Sequence, residues 1–404
     1  MVEVRRPLLA VEDALRQLLD GVAPMPAETV PLTMAHGRVL AEDIAARLTQ
    51  PPFDASAMDG YAVRAADTGS VPVQLKLTGQ SAAGRGFSGA VNPGETVRIF
   101  TGAPVPAGAD AVVIQEDTSA GDGLVTIRQA VAQGENIRGR GKDFTSGQAL
   151  LGAGRRLTSR DLMLAASSGH AMLPVRRQPL AAVLATGDEL VPPGTTPGPD
   201  QIVSSIPIGL AGMIASAGGK PHVLGIARDN LPDLDAKIAS AAGADILVTI
   251  GGASVGDHDL VQKALAARGL SLAFWRIAMR PGKPLMYGRL GAQRVLGLPG
   301  NPVSATLCAQ IFLLPLIRAL LGGRDEDAYS EGRLAVPLEA NGPRQHYVRA
   351  RVTAMGPPPR VEPLPSQDSS LVATLARADC LIVIPPNAPA MPADSAVRLL
   401  ALEG

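Results

Sequence analysis

The sequence predicts a multidomain protein of the α/β plus β class, with a central α/β domain built on a mostly parallel sheet. Three observations predict this. The chain has 404 residues, too many for one compact core and enough for about two to four domains. Between residues 179 and 324, apolar runs alternate with amphipathic stretches at strand–helix–strand spacing. On either side the texture changes to short apolar runs separated by Gly, Pro and Asp. The 44 Gly and 35 Pro are dispersed rather than gathered in one tract, which marks many tight loops between ordered elements.

Along the chain, Leu8, Val11, Leu15 and Leu18 recur at helical spacing before Gly21, predicting a short amphipathic helix. From residue 29 to 146 the runs VPVQLKL, TVRIF, DAVVIQ and GLVTIR read as strands of a β-rich domain. TSRDLMLAASSG follows as a helix, with Thr158 and Asp161 as its capping box and Gly169 as its stop. In the central segment LAAVLAT, HVLGIA, DILVTI and RVLGLPG read as strands. The segment 207–217, LPDLDAKIASAA, DLVQKALAARG and PVSATLCAQIFLLPLIRALL read as helices. Such runs suit a sheet covered on both faces. After Gly322-Gly323, RLAVPL, YVRARVTA, CLIVIP and AVRLLAL suggest a small β-barrel or sandwich, with a helix near residues 370–376.

Composition removes several functions. Lys+Arg and Asp+Glu both total 37, so no long-range field draws the chain to nucleic acid or an anionic membrane. Aromatics at 3% give little for base stacking. Cys308 and Cys380 stand far apart without metal-site spacing, and a reducing, cytoplasmic setting is the simple expectation. The N-terminus carries acids where a signal peptide would be apolar. The apolar window 309–321 is broken by Pro315 and Arg318 and is expected to be too short to span a bilayer.

In open α/β sheets ligands sit beyond the carboxyl ends of the strands, and four segments fall there. Gly187-Asp188-Glu189 suits Mg²⁺ binding or water orientation, or equally an ordinary pair of turn acids. Gly251, Gly252, Ser254, Asp257 and Asp259 form a loop whose backbone can approach a phosphate, with Asp257 alternatively a plain helix cap. Arg276, Arg280 and Lys283 bracket a Pro-Gly turn and can clamp an oxyanion, although a solvated loop is the blander reading. Pro299-Gly300-Asn301-Pro302, with Ser304 in the first helical turn, is shaped as an anion cradle at a helix start. No Gly-Lys-Ser/Thr makes it a Walker loop, and no dinucleotide fingerprint follows the first strand.

Read together, PPFDASAMDGYAVRAAD, FTGAPVPAGADAVVIQED, NIRGRGKDF, TGDEL, GGASVGDHD, PGKP and GLPGNPVSA resemble, in order and separation, the molybdopterin molybdenumtransferase family, which includes the homologous region of gephyrin. The resemblance runs from about residue 8 to the C-terminus. It implies four domains: a discontinuous N-terminal domain of 1–28 and 147–178, a β-rich domain inserted at 29–146, an α/β molybdopterin-binding domain at 179–328 and a C-terminal β-barrel at 329–404. It implies an elongated homodimer. Asp59, Thr101 and Asp143 would then act across the dimer from Glu189, Asp229, Asp257, Asp259, Arg276, Arg280 and Ser304. Arg349 and Ser369 or Ser370 would come from the barrel.

The implied reaction takes adenylylated molybdopterin and molybdate and yields molybdenum cofactor and AMP. Asp59, Thr101, Asp143, Glu189, Asp229 and Asp259 are expected in catalysis. Asp188, Glu189 and Asp229 are expected to hold Mg²⁺. Gly251, Gly252, Ser254, Asp257, Arg276, Arg280, Lys283, Pro299, Asn301, Pro302, Ser304, Arg349 and Ser370 are expected to bind substrates. The expected partners are molybdopterin adenylyltransferase and molybdoenzyme maturation proteins, with no nucleic acid and no membrane. Relatives often carry lysine where this chain has Arg276 and Arg280, so a planar fork replaces a point charge. They also frequently carry Asp-Ser-Asn where Ser204-Ser205-Ile206 stands here. Two rival readings are the preceding adenylyltransferase, which resembles residues 179–324 alone, and a scaffold, for which the chain carries no linker or second catalytic module. Preference for molybdate over tungstate is open.

Overall fold

In the computed structural model, residues 8–251, 260–323 and 329–402 are described. The central domain runs β1 (Leu180–Thr186), α1 (Ile206–Ser216), β2 (Lys220–Ala227), α2 (Leu231–Ser240), β3 (Ile246–Ile250), α3 (Leu260–Ala267), β4 (Ser271–Trp275), β5 (Met286–Leu290), β6 (Gln293–Leu298) and the long helix α4 (Pro302–Leu321). The sheet order is β2-β1-β3-β6-β5-β4. The first four strands are parallel, and β5 and β4 add an antiparallel edge.

Burial on both faces explains the near-continuous apolar strands. Ala181 and Val183 pack with Leu210, Ile214 and Leu316 on one side. Ala182 and Leu184 pack with Leu234, Ile238, Val261 and Leu265 on the other. The chain moves from β1 outward to β2 and then returns past β1 to β3. The crevice between β1 and β3 is therefore the topological switch point, the usual ligand site of such sheets.

The 309–321 window, read as broken by Pro315 and Arg318, is continuous with the rest of the run 302–321. Helix α4 extends unbroken over 20 residues, long and apolar enough to cross a membrane by length and composition. A π-helical stretch at Ala309–Leu313 precedes Pro315 and absorbs its missing N–H. The helix is nonetheless a core element, since 78% of its apolar window is buried, and each fully covered Leu contributes about 1.5–3 kcal/mol. The N-terminal helix Val11–Leu19 joins the same core through Val11, Ala14 and Leu18.

Strand Ala27–Pro31 pairs antiparallel with Met172–Arg176, and Ile44–Ala45 with Ala149–Leu151. Residues 27–46 thus lie with the second half of the discontinuous unit. The helix Ser159–Ser167 between them carries the expected capping box of Thr158 and Asp161. The six-stranded sheet of the insertion begins only at Gly60 and runs, in order, 111–114, 60–63, 95–99, 73–81, 124–127 and 118–121. In the C-terminal region Gln345–Ala354, Arg360–Pro363, Tyr329–Leu334, Ala396–Ala401 and Cys380–Ile384 close on themselves as a five-stranded barrel. The short strand Met279–Arg280 from the central domain adds to its rim beside Gln345–His346.

Candidate functional site

Four loops leave the carboxyl ends of β1, β2, β3 and β6, and the first, third and fourth converge. A Cβ built on Gly251 would lie 2.8 Å from the Thr186 carbonyl oxygen and 2.9 Å from its hydroxyl, and φ there is +90°. Only glycine allows that approach. A Cβ on Gly300 would lie 3.8 Å from the Gly251 Cα, which brings the Pro299–Pro302 turn alongside. Glu189 folds back over Gly187, whose added Cβ would meet its Oε2 at 2.4 Å. Gly252, Ser254, Asp257 and Asp259 lie outside the described residues.

The acids of β1 and β2 come together. The Asp229 backbone N–H donates to Asp188 Oδ1 at 3.2 Å. Partial burial raises the pKa of the Asp229 carboxyl above the ordinary value. The Asp188 charge raises it further, the Asp188 backbone N–H opposes the rise, and Glu189 adds to it. Like charges thus share one rim. Among the described residues, however, no three His, Cys, Asp or Glu side chains gather into a group able to hold a metal ion. The expected trio of Asp188, Glu189 and Asp229 is neighbouring but not preassembled.

The cations sit at the other end of the sheet. The backbone bends back on itself at 276–285, with Arg276 N–H donating to the Leu285 carbonyl and Ile277 N–H to that of Lys283, both at 3.0 Å. Arg276 has φ of 69°, its guanidinium lies 4.3 Å from the Trp275 ring centroid, and its buried Nε has no acceptor among the described residues. Arg280 and Lys283 are exposed. No ion pair among the described residues uses Arg276, Arg280 or Lys283.

Several of the expected substrate-binding residues are engaged within the chain itself. The start of α4 is not a free row of donors. The Val303 N–H donates to the Ser369 carbonyl at 3.1 Å, and Asn301 Nδ2 donates to Ser369 Oγ at 3.0 Å. Ser304, one residue further on, is buried. Arg349 is 1% exposed and donates to the carbonyls of Asp368 (2.9 Å), Ser366 (3.3 Å) and Leu371 (3.5 Å). Its guanidinium shapes the 366–371 loop, and burial lowers its pKa. Ser370 is exposed on the same loop, its N–H and hydroxyl both donating to Asp368 Oδ1 at 2.8 Å.

In the insertion, Asp59 Oδ1 accepts from the Thr101 N–H at 2.7 Å and from its hydroxyl at 2.8 Å. Those two bonds, backbone first, together with the nearby Arg98 charge, lower the pKa of this exposed carboxyl. Arg98 spans the Tyr61 and Phe100 rings at 4.9 and 5.0 Å. Asp143 is reached through the neighbouring loop. Its N–H donates to the Gln50 carbonyl, and Asp54 Oδ1 accepts from the Arg140 N–H at 2.8 Å. Among the described residues no hydrogen bond or ion pair joins this rim to the β1–β3 crevice of the same chain. Sequence reasoning missed Arg344 and His346, which pairing with the Met279–Arg280 strand brings beside Arg280. Their partner lies far away in sequence, so no local pattern announces them.

Comparisons with known proteins agree in direction. The profile described as "MoeA N-terminal region (domain I and II)" matches residues 9–169, "Probable molybdopterin binding domain" matches 182–319, and "MoeA C-terminal region (domain IV)" matches 331–398. A molybdopterin molybdenumtransferase of Nostoc is 33% identical over 85% of this chain and 82% of its own length. One from Haemophilus influenzae is 37% identical over 78% of each chain, and one from Staphylococcus aureus is 30% identical over 100% of this chain and 97% of its own. The crystal structure of a molybdopterin biosynthesis protein from Pyrococcus horikosii superposes with a TM-score of 0.85 at 30% identity, covering 98% of this chain and all of that one. Fold, order of motifs and relatives at this identity lead to one conclusion: the chain belongs to the molybdopterin molybdenumtransferase family.

Proposed function

We propose that the chain transfers molybdenum from molybdate to adenylylated molybdopterin, releasing AMP and forming molybdenum cofactor. The observation that carries this reading is the convergence of the Thr186–Glu189, Gly251 and Pro299–Pro302 loops on one switch-point crevice. Carboxylates stand on its rim, and cations with no ion pair among the described residues stand at the bend that follows β4.

Electrostatic positioning does most of the work, because the described loops offer no Ser/His/Asp or Cys nucleophile. Both cysteines are buried and protonated, with Cys380 pushed up to about 11 and Cys308 higher still, each mainly by burial. Backbone N–H groups of the glycine loops receive phosphate oxygens. Arg276 and Arg280 hold the molybdate oxyanion, Arg276 with an Nε–H that lacks an acceptor among the described residues.

The donor set suits Mg²⁺. It consists of hard carboxylate oxygens whose mutual repulsion a cation would relieve. The lack of a preassembled trio fits an ion that arrives with substrate phosphates, held by Asp188 and Asp229 with Glu189 close by. When bound, it supplies charge neutralisation at the pyrophosphate oxygens.

The site is read as shared between two copies. Helix α1 carries no charged residue, and Ile208 on it is 61% exposed beside Ile202 at 58%. An apolar face of this kind suits a second copy. That arrangement would bring the Asp59–Thr101 rim of one chain to the crevice of the other. Contact with molybdopterin adenylyltransferase and molybdoenzyme maturation proteins, in a cytoplasmic setting, belongs to the same reading.

The test mixes purified protein with adenylylated molybdopterin, Mg²⁺ and either molybdate or tungstate, and quantifies AMP and active cofactor. Wild type is expected to release AMP in step with cofactor formation. Glu189→Gln is expected to cut AMP release by about a hundredfold or more, as loss of a charge-stabilising group does, while leaving the fold intact. Undiminished AMP release by Glu189→Gln would reject its role.

A further inference from the structure

We propose that Arg344 and His346 are oxyanion-specificity residues, forming with Arg280 a pocket for a tetrahedral dianion in which anion binding takes up a proton. The inference rests on the reading of Arg280 as an oxyanion ligand and adds two residues and a pH dependence to it.

The strand register builds the cluster. Met279 pairs with Gln345 and Arg280 with His346 in a parallel ladder, anchored by Gln345 N–H donating to the Ala278 carbonyl at 2.9 Å. Register partners project their side chains to the same side of a sheet, and so do residues two apart on one strand. Arg280 and His346 therefore share one side, and Arg344, in the bend just before the strand, lies near enough for its charge to act on His346. The barrel fixes the position, since His346 also pairs with Ile384 of Cys380–Ile384.

Charge balance is the second observation. Arg280, Arg344 and Arg349 are the charged groups acting on His346, from the added strand and from its own; the register partner on the remaining side, Ile384, is apolar. None of the three guanidiniums forms an ion pair among the described residues. Arg349 is held by carbonyls and lies near the Asp368 charge, whereas Arg280 and Arg344 act on the imidazole with no ion-pair partner among the described residues. Cations gathered without an ion-paired carboxylate favour an anion.

His346 explains why the cluster is tolerable. Burial first, and then the charges of Arg280, Arg344 and Arg349, push its pKa down to about 4. At neutral pH the imidazole is uncharged and offers a ring N–H to an oxyanion without adding repulsion. A bound dianion reverses the local field and favours the imidazolium. Below the pKa of the anion-bound state, binding is accompanied by proton uptake, so affinity rises as pH falls.

The experiment is calorimetric titration of the full-length protein with sulfate, a tetrahedral ion that remains a dianion throughout the range, at about pH 5.5 and about pH 7.5. Each titration is run in two buffers of different ionisation enthalpy to count protons. Wild type is expected to bind several-fold more tightly at the lower pH, with net proton uptake. Arg344→Ala should weaken binding about tenfold at both pH values, the scale of one charge-assisted hydrogen bond, and Arg344→Lys should recover part of the loss. His346→Gln should bind at the higher pH but lose both the pH dependence and the proton uptake. If Arg280→Ala abolishes binding while Arg344→Ala and His346→Gln match wild type, this inference falls and Arg280 keeps its role. If sulfate binding is untouched by all three substitutions, the oxyanion role of Arg280 falls with it.

Discussion

At the scale of residues, the acids of the crevice carry the most direct consequence. Asp229 has a raised pKa in the folded protein, so its ionisation costs stability above that pKa and the cost vanishes below it. Without Mg²⁺, Asp229→Asn should therefore melt at or above the wild-type temperature at about pH 7.5, with the difference gone by about pH 4. Mg²⁺ together with a pyrophosphate-bearing nucleotide should raise the wild-type melting temperature at neutral pH, progressively less as pH falls, and should do little for Asp229→Asn. A full Mg²⁺-dependent shift in that variant, measured by scanning fluorimetry, would remove Asp229 from the ion's ligands. The sequence placed Asp188 and Glu189 at a strand end through the TGDEL run alone. That Asp229 joins them follows from β2 lying beside β1, which only topology supplies.

At the scale of elements, the barrel and helix α4 are joined by one buried cation. Arg349 gathers the carbonyls of Ser366, Asp368 and Leu371, and the loop so shaped presents Ser369 to Asn301 and Val303. Arg349→Ala leaves buried acceptors without donors while relieving a desolvated charge, and the net loss should be about 1–3 kcal/mol. Its measurable sign is a lower unfolding midpoint in denaturant for the variant without any substrate present. An unaltered midpoint combined with lost oxyanion binding would restore Arg349 as a direct ligand. Periodicity revealed the strands and helices of this region well: the capping box at Thr158, the arrest of the first helix before Gly21 and the α/β alternation all stand in the structure. The antiparallel edge formed by β4 and β5 was not legible. Its residues surround a Pro-Gly bend and read as a charged loop, because what orders them is pairing with β6 and not their own pattern. The full extent of α4 was legible as one run, 302–321, but its passage through Pro315 was not. A proline inside an apolar run signals a break locally, whereas a π-helical turn and burial in the core carry the helix past it.

At the scale of the whole molecule, the insertion presents Asp59, held by Thr101, on a rim that no described contact ties to the crevice of its own chain. In the proposed dimer a second copy would rest on the uncharged outer face of α1. Family motifs in the sequence pointed to both sets of residues, but the proposed division between two chains is a property of assembly that no single-chain pattern contains. Complementation between inactive variants tests this most directly. Asp59→Asn and Glu189→Gln proteins, each inactive alone, are unfolded and refolded together or co-expressed, and AMP release from adenylylated molybdopterin with molybdate is measured. If each site draws Asp59 from one copy and Glu189 from the other, each mixed dimer holds one intact site, and statistical mixing restores about a quarter of wild-type activity. A mixed population containing verified heterodimers but no more activity than either variant alone would contradict a site shared between two chains.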